Sequence, residues 1–441
     1  MFNKRRRSFL YAACVAFSFH TELANALEIQ SGVGVGVEHT NNATLSADDK
    51  MSDNIAIAYV GANITEDEGT LTHNTQLSFN RYNYLQDTFD DTRYFNLAVN
   101  ADWEMIKDRF HWILSDTFDQ RMLDSFDANT PDNLQDTNVF SLGANVIFPF
   151  SARSKLTLIP NYSQYYFELQ NTNNNQYSLT GSWDYKMTRR NSVGLNLSTR
   201  NIDYTQESIL GETVEDTRFT TLSINVSGKQ PRSLYSIDLG STRVKREGGD
   251  ETSGFSGGFD WLTNLTSRST FSAIASTELT DTSSATLNID VGLPQGRAPV
   301  TTDVIRNSIF SLLYAREDEL LRSSVGAEYR KVKYSESPLD QVDKTLNATV
   351  GYPLTRKLTC EAYANYIYSK RLETVRVDKR TVVGGNIKYK FSRKLNGSFD
   401  LAYRDNNSTI DVESYEEFTA YVSLVYGFGE VYRPTRVASG F

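Results

Sequence analysis

The chain has 441 residues, with 54 acidic and 45 basic side chains and a net charge of −9. That acidity excludes a nucleic-acid partner, whose phosphates require a basic face. Cys14 and Cys360 are its only cysteines, and Cys14 falls in an export signal, so the exported chain has no internal disulfide to form.

Residues 1–26 read as a cleaved secretory signal peptide. Lys4-Arg5-Arg6-Arg7 form the charged region, Ser8 to Phe19 the apolar region, and Ala24-Asn25-Ala26 the small-residue site before Leu27. Arg6-Arg7-Ser8-Phe9-Leu10 also matches a twin-arginine signal, but that route carries folded proteins, and the segments downstream favour the general secretory (Sec-type) route. A lipoprotein site at Cys14 would leave too few apolar residues ahead of it. Cleavage removes four of the basic groups and one acidic group, taking the net charge to about −12.

From residue 27 to 429 the pattern alternates apolar and polar with period two, and no stretch reaches the length of an apolar membrane helix. Phe95, Leu97, Val99, Ala101, Trp103 and Met105 share one face of a predicted strand, opposite Asn96, Asn100, Asp102 and Glu104. Tyr177, Leu179, Trp183 and Tyr185 oppose Ser178, Thr180, Asp184 and Lys186 in the same way. Such strands are punctuated by nine short, mostly basic turns. They are Glu66–Gly69, Lys107–Arg109, Ser151–Ser154, Thr188–Asn191, Lys229–Arg232, Thr266–Ser269, Arg316–Glu319, Thr355–Lys357 and Ser392–Lys394. Between them lie longer acidic connections. Strand, tight turn, strand, long loop is the pattern of an all-β, antiparallel up-and-down transmembrane barrel in a Gram-negative outer membrane. A mean hydropathy of −0.44 fits it, since only alternate residues meet lipid.

Nine turns with both termini in the periplasm predict 20 strands. Discounting the Gly-rich first strand (Gly32, Gly34, Gly36) would give 18, and Ser283 to Thr302 could be a loop or hide another hairpin. The last strand places Phe418, Val422, Leu424, Tyr426 and Phe428 on one parity. This resembles the terminal signal read by the barrel-assembly machinery. Residues 430–441, with Pro434 and Gly440, read as a periplasmic tail.

The polar face should line the lumen with Asp102, Glu104, Asp184, Lys186, Arg200, Lys388, Lys390, Asp400 and Arg404. Their mixed signs suit internal ion pairs better than a selective ring of one charge. Tyr82, Tyr165 and Phe167 are candidate lumen aromatics on which a sugar ring could stack.

No catalytic or metal motif is expected, nor any cofactor. Gly254-Phe255-Ser256-Gly257-Gly258 fits a nucleophile elbow, but Phe259-Asp260-Trp261-Leu262 continues as a strand where that motif requires a helix. His39, His73 and His111 lie in no catalytic or zinc spacing. Acidic loop tips (Asp87, Asp90, Asp91; Asp124, Asp127, Asp132, Asp136; Glu212, Glu215, Asp216; Glu247, Asp250, Glu251) match no calcium-loop spacing. They read as solvated loops, with divalent-cation bridging to lipopolysaccharide as the alternative.

With turns such as Tyr389-Lys390-Phe391-Ser392-Arg393-Lys394-Leu395 and the closing Tyr421-Val422-Ser423-Leu424-Val425-Tyr426-Gly427-Phe428, the chain resembles a porin-like group of outer-membrane barrels. These accompany bacterial exopolysaccharide operons and PEP-CTERM/exosortase systems. The resemblance implies export or anchoring of a surface polysaccharide, with the polysaccharide and its export apparatus as partners beside outer-membrane lipid and lipopolysaccharide. It carries over no site residues. A nutrient-uptake or general porin, and a non-conducting structural or adhesion barrel, stand as alternatives.

Overall fold

The computed structural model describes residues 27–428 except 171, 206–215, 250, 288–299, 319 and 375. The expected signal peptide (1–26), the tail (430–441) and the loop residues Glu212, Glu215 and Asp250 lie outside the described residues.

Twenty strands form one sheet. They are β1 (Leu27–Thr40), β2 (Asp53–Glu66), β3 (Leu71–Tyr84), β4 (Thr92–Ile106), β5 (Phe110–Met122), β6 (Leu134–Pro149) and β7 (Ser154–Phe167). Next come β8 (Asn174–Lys186), β9 (Asn191–Tyr204), β10 (Thr217–Lys229), β11 (Ser233–Arg246), β12 (Glu251–Thr266), β13 (Ser269–Asp281) and β14 (Val304–Glu317). The last are β15 (Arg322–Tyr334), β16 (Gln341–Pro353), β17 (Leu358–Arg371), β18 (Val377–Lys390), β19 (Leu395–Ser408) and β20 (Tyr415–Phe428). Each pairs antiparallel with the next. The ring closes where β20 returns to β1, from Ser31 opposite Phe428 to Thr40 opposite Thr419. Closure leaves no unpaired edge, which a bilayer interior demands. A strand of about 14 residues, tilted by about 40°, rises roughly 35 Å, more than the apolar band of about 25 Å.

The turns form for a repeated local reason. In the turns after β6, β8, β16 and β18, a Ser or Thr hydroxyl accepts the N–H groups two and three residues ahead. Ser151 takes those of Arg153 and Ser154, Thr188 those of Arg190 and Asn191, Thr355 those of Lys357 and Leu358, and Ser392 those of Lys394 and Leu395. Asp318 does this with a carboxylate, accepting from Leu320 and Leu321. The Leu321 N–H and then the Arg316 guanidinium hold its carboxyl below the ordinary value. Gly69, at φ +99°, supplies a left-handed position in the first turn.

The count is 20 rather than 18 because β1 is a full strand whose glycines are spacers. Gly34 faces the ring of its cross-strand partner Tyr59, and Gly36 faces the ring of Tyr421, so a Cβ at either would strike the ring. Both rings belong to or pack against a buried cluster with Ile55, Ile57, Tyr82 and Val425. The segment after β13 adds no strand among the described residues, since Asp281 and Val304 pair directly across it. It opens with a short helix, α1 (Thr282–Leu287).

The apolar faces point out. Trp103, Leu179, Leu197, Val350, Val422 and Tyr426 all stand exposed on the outer wall, where lipid would cover them. This inverts the arrangement of a soluble sandwich, whose apolar face is packed inward. Leu197→Arg, near the middle of β9, should therefore cost about 2–4 kcal/mol in a bilayer. Ser198→Arg, on the opposite face, should cost far less, and urea titration of both variants in lipid vesicles reads the difference.

Candidate functional site at the loop end of the lumen

Burial inside the barrel is graded along its axis. Near the long loops the inward positions are packed: Glu38 and Thr40, Asn80 and Tyr82, Arg330 and Val332, Asp378, Glu417 and Thr419 are all buried. Towards the short turns they open to solvent, and Lys186 and Lys390 are exposed at that rim. Side chains of the wall alone cannot fill a barrel of this many strands. Among the described residues, two chain segments that fold inward help to do so.

One is 123–133, between β5 and β6. Its shape is set locally by Asn133, whose Oδ1 accepts the Asp124 N–H while its Nδ2 donates to the carbonyls of Asp124 and Ala128. Asp124 Oδ1 in turn accepts the Phe126 N–H at 2.9 Å. The segment crosses the lumen to β17 and β18, which are not sheet neighbours of β5 or β6. There Arg371 donates to both oxygens of Asp124 at 2.7 and 2.6 Å. Arg376 donates to the Phe126 carbonyl at 2.6 Å, and Arg380 to the carbonyls of Ser125 and Phe126 at 2.8 and 3.1 Å. The guanidinium carbons of Arg371 and Arg376 lie 4.4 and 5.4 Å from the centroid of the Phe126 ring, which is 1% exposed. Asp378 and Glu413 complete the network at 3.2 and 3.3 Å from Arg376, with Asp127 at 3.6 Å.

The other is α1. Ser283 accepts from Asn174, and Ser284 accepts from Arg200 at 2.6 Å. Arg200 also pairs with Asp281 at 3.0 Å and stacks on Phe219. These contacts span from β8 and β9 to β13, so they too lie inside the barrel.

The residues expected in the lumen are distributed, not gathered. Asp102 and Glu104 flank His111 at 2.9 and 3.6 Å, near the turn end. Asp184 faces Lys155 at 3.6 Å and Lys388 faces Glu361 at 3.2 Å. Asp400 accepts from the Tyr363 hydroxyl at 3.3 Å, and Arg404 pairs with Glu417 at 2.6 Å. Of the nine, Arg200 meets an infolded segment, α1. Asp124 and Asp127, expected on a solvated loop tip, instead reach the arginines of the opposite wall, because three cations there need counter-charge. Arg371, Arg376, Arg380 and Phe126 went unnoticed in the sequence. A phenylalanine in an acidic loop, and three arginines within ten residues, were the available signals. Among the described residues no group of three or more His, Cys, Asp or Glu is placed to hold a metal.

A closed 20-strand ring with an apolar outer wall and a charged, hydrogen-bonded interior defines a transmembrane β-barrel of the bacterial outer-membrane type. No family model and no curated protein matches the sequence. Among solved structures it is similar to the siderophore receptor PirA from Acinetobacter baumannii, at 9% identity and a TM-score of 0.49, covering 91% of this chain and 80% of that one. It is also similar to the FrpB iron transporter from Neisseria meningitidis, at 10% identity and a TM-score of 0.48, covering 90% and 81%. The copper transporter OprC is a third, at 9% identity, a TM-score of 0.43 and coverage of 91% and 80%. At such identities the likeness is one of barrel fold.

The arginine cluster should carry much of the stability of the loop end. Arg376→Met leaves the fully buried Asp378 short of its nearest counter-charge. A cost of about 3 kcal/mol is expected. Lys155→Met, at a half-exposed pair, should cost about 0–1 kcal/mol. Denaturant unfolding of both variants in detergent micelles checks the contrast.

Proposed function

We propose that this protein is an uptake channel for polar solutes in the outer membrane, with its loop-end mouth held shut by residues 123–133. The observation that carries the reading is the cross-lumen grip on that segment, with Phe126 against Arg371 and Arg376. Towards the turns the inward groups are polar and solvent-exposed, which suits small hydrated cargo. In this reading the mature chain begins at Leu27, the short turns and residues 430–441 face the periplasm, and the long loops face outward into lipopolysaccharide. The assembly machinery reads the outward row Phe418, Val422, Leu424 and Tyr426, with Phe428 closing the strand.

Export of a polysaccharide chain draws less support. Its transit would be helped by aromatic rings offered along the lumen. Tyr82, Tyr165 and Phe167 do face inward, but each is buried, Phe167 to 2% exposure, so none offers a free ring face to a sugar.

In planar bilayers the parent barrel should show low conductance with rare openings, and deletion of 124–132 should raise it severalfold. Liposome swelling with small sugars should rise in parallel. If the deletion variant folds, as judged by heat-modifiable migration on gels, and still conducts no better than the parent, the barrel is a non-conducting one.

A further inference from the structure

We infer that Arg371, Arg376 and Arg380 form a binding site for the anionic group of a solute, a carboxylate or a phosphate, which the segment Asp124–Asp127 occupies as an internal surrogate. The inference rests on the uptake reading and adds to it the chemical class of the cargo.

The cluster is built from a hairpin. The Arg371 N–H donates to the Arg376 carbonyl at 3.0 Å, so these two cations sit opposite one another where the hairpin opens, Arg371 ending β17 and Arg376 just before β18. Arg380 follows on the same face of β18. Like charges facing across strands repel, and a wall that carries three of them is stable only with anionic oxygens close by. The segment supplies two, the carboxylate oxygens of Asp124, and adds the neutral carbonyl acceptors of Ser125 and Phe126 beside them. Carboxylate and phosphate present guanidinium groups with the same oxygen geometry.

Counter-charge fixed to the wall is insufficient by itself. Asp378 and Glu413 remain beside Arg376 whether or not the segment is in place. The neighbouring Asp343 interacts with both Arg330 and Arg380, so counting it brings in a fourth cation, Arg330, along with it. With Asp124 and Asp127 present, four carboxylates face three guanidiniums; once the segment leaves, two face three. The emptied site therefore attracts an anion. It also has donors to spare, because Nε of Arg371 and Nε of Arg380 are buried with no acceptor among the described residues. The segment keeps its shape through Asn133, and in this proposal it leaves as a unit. An arriving anion and the segment then compete for the same three side chains, so cargo binding and opening of the mouth become one event.

The test uses the full exported chain in detergent for binding, by calorimetry with succinate and with inorganic phosphate, and in planar bilayers for conductance. The double variant Asp124→Asn with Asp127→Asn weakens the surrogate while leaving the wall intact. It should bind at least one of the two anions tenfold or more tighter than the parent, and the anion with the larger gain identifies the group recognised. Adding Arg371→Gln and Arg380→Gln should abolish that gain, with folding verified by heat-modifiable migration. Unchanged anion affinity in the double variant, or a gain that survives loss of the arginines, overturns the inference. Raised conductance without any gain in anion affinity would sink this inference and leave the uptake channel standing. Anion binding gained without conductance would do the reverse.

Discussion

Everything in this molecule depends on the pairing of β20 with β1. A bilayer offers no water to an unpaired N–H or C=O, so a sheet that crosses it must close on itself. Closure joins residues almost 400 positions apart in the chain, as in the register of Thr40 with Thr419. That joint is buttressed from inside. Thr40 donates to Glu417 at 2.7 Å, Glu417 pairs with Arg404, and the Tyr421 ring lies over Gly36. The small residues of β1 are thus fitted to the bulky neighbours that close the ring.

Closing so many strands creates a second constraint. The ring is too wide for its own side chains to fill, so the interior is either open water or occupied by inserted chain. Here the two ends take different solutions. At the turn end inward groups pair locally along the wall, as His111 does with Asp102 and Glu104, and stay hydrated. At the loop end the polar groups are buried, and each burial must be compensated by charge or hydrogen bonding. Segment 123–133 and α1 bring the oxygens that the wall arginines lack. This makes the loop end the packed, ion-paired part of the barrel and the natural place for control of passage.

Much of the architecture was legible in the residues. Alternation along single strands, such as Phe95 to Met105, exposes the two faces because successive side chains must point opposite ways. The turns were legible as short, mostly basic runs, although the reason for five of them, a Ser, Thr or Asp oxygen capping two N–H groups, is a matter of local geometry. The interior partnerships were not legible. Arg200 shows no sign in sequence of a tie to Ser284, nor Arg371 of its tie to Asp124, because each pair is separated by strands that the ring must first bring around.

Inward and outward faces and the alternation of short turns with long acidic loops were set by the residues alone, since these follow from nearest-neighbour geometry and burial of apolar side chains; the choice of 20 strands over 18 waited on the pairing of β1 with β2 and β20. Tertiary structure alone decided which loop turns inward and which charges it meets. Whether Asp124 faces solvent or an arginine depends on the curvature of the ring and the width of its lumen, and no property of the loop's own residues encodes either one.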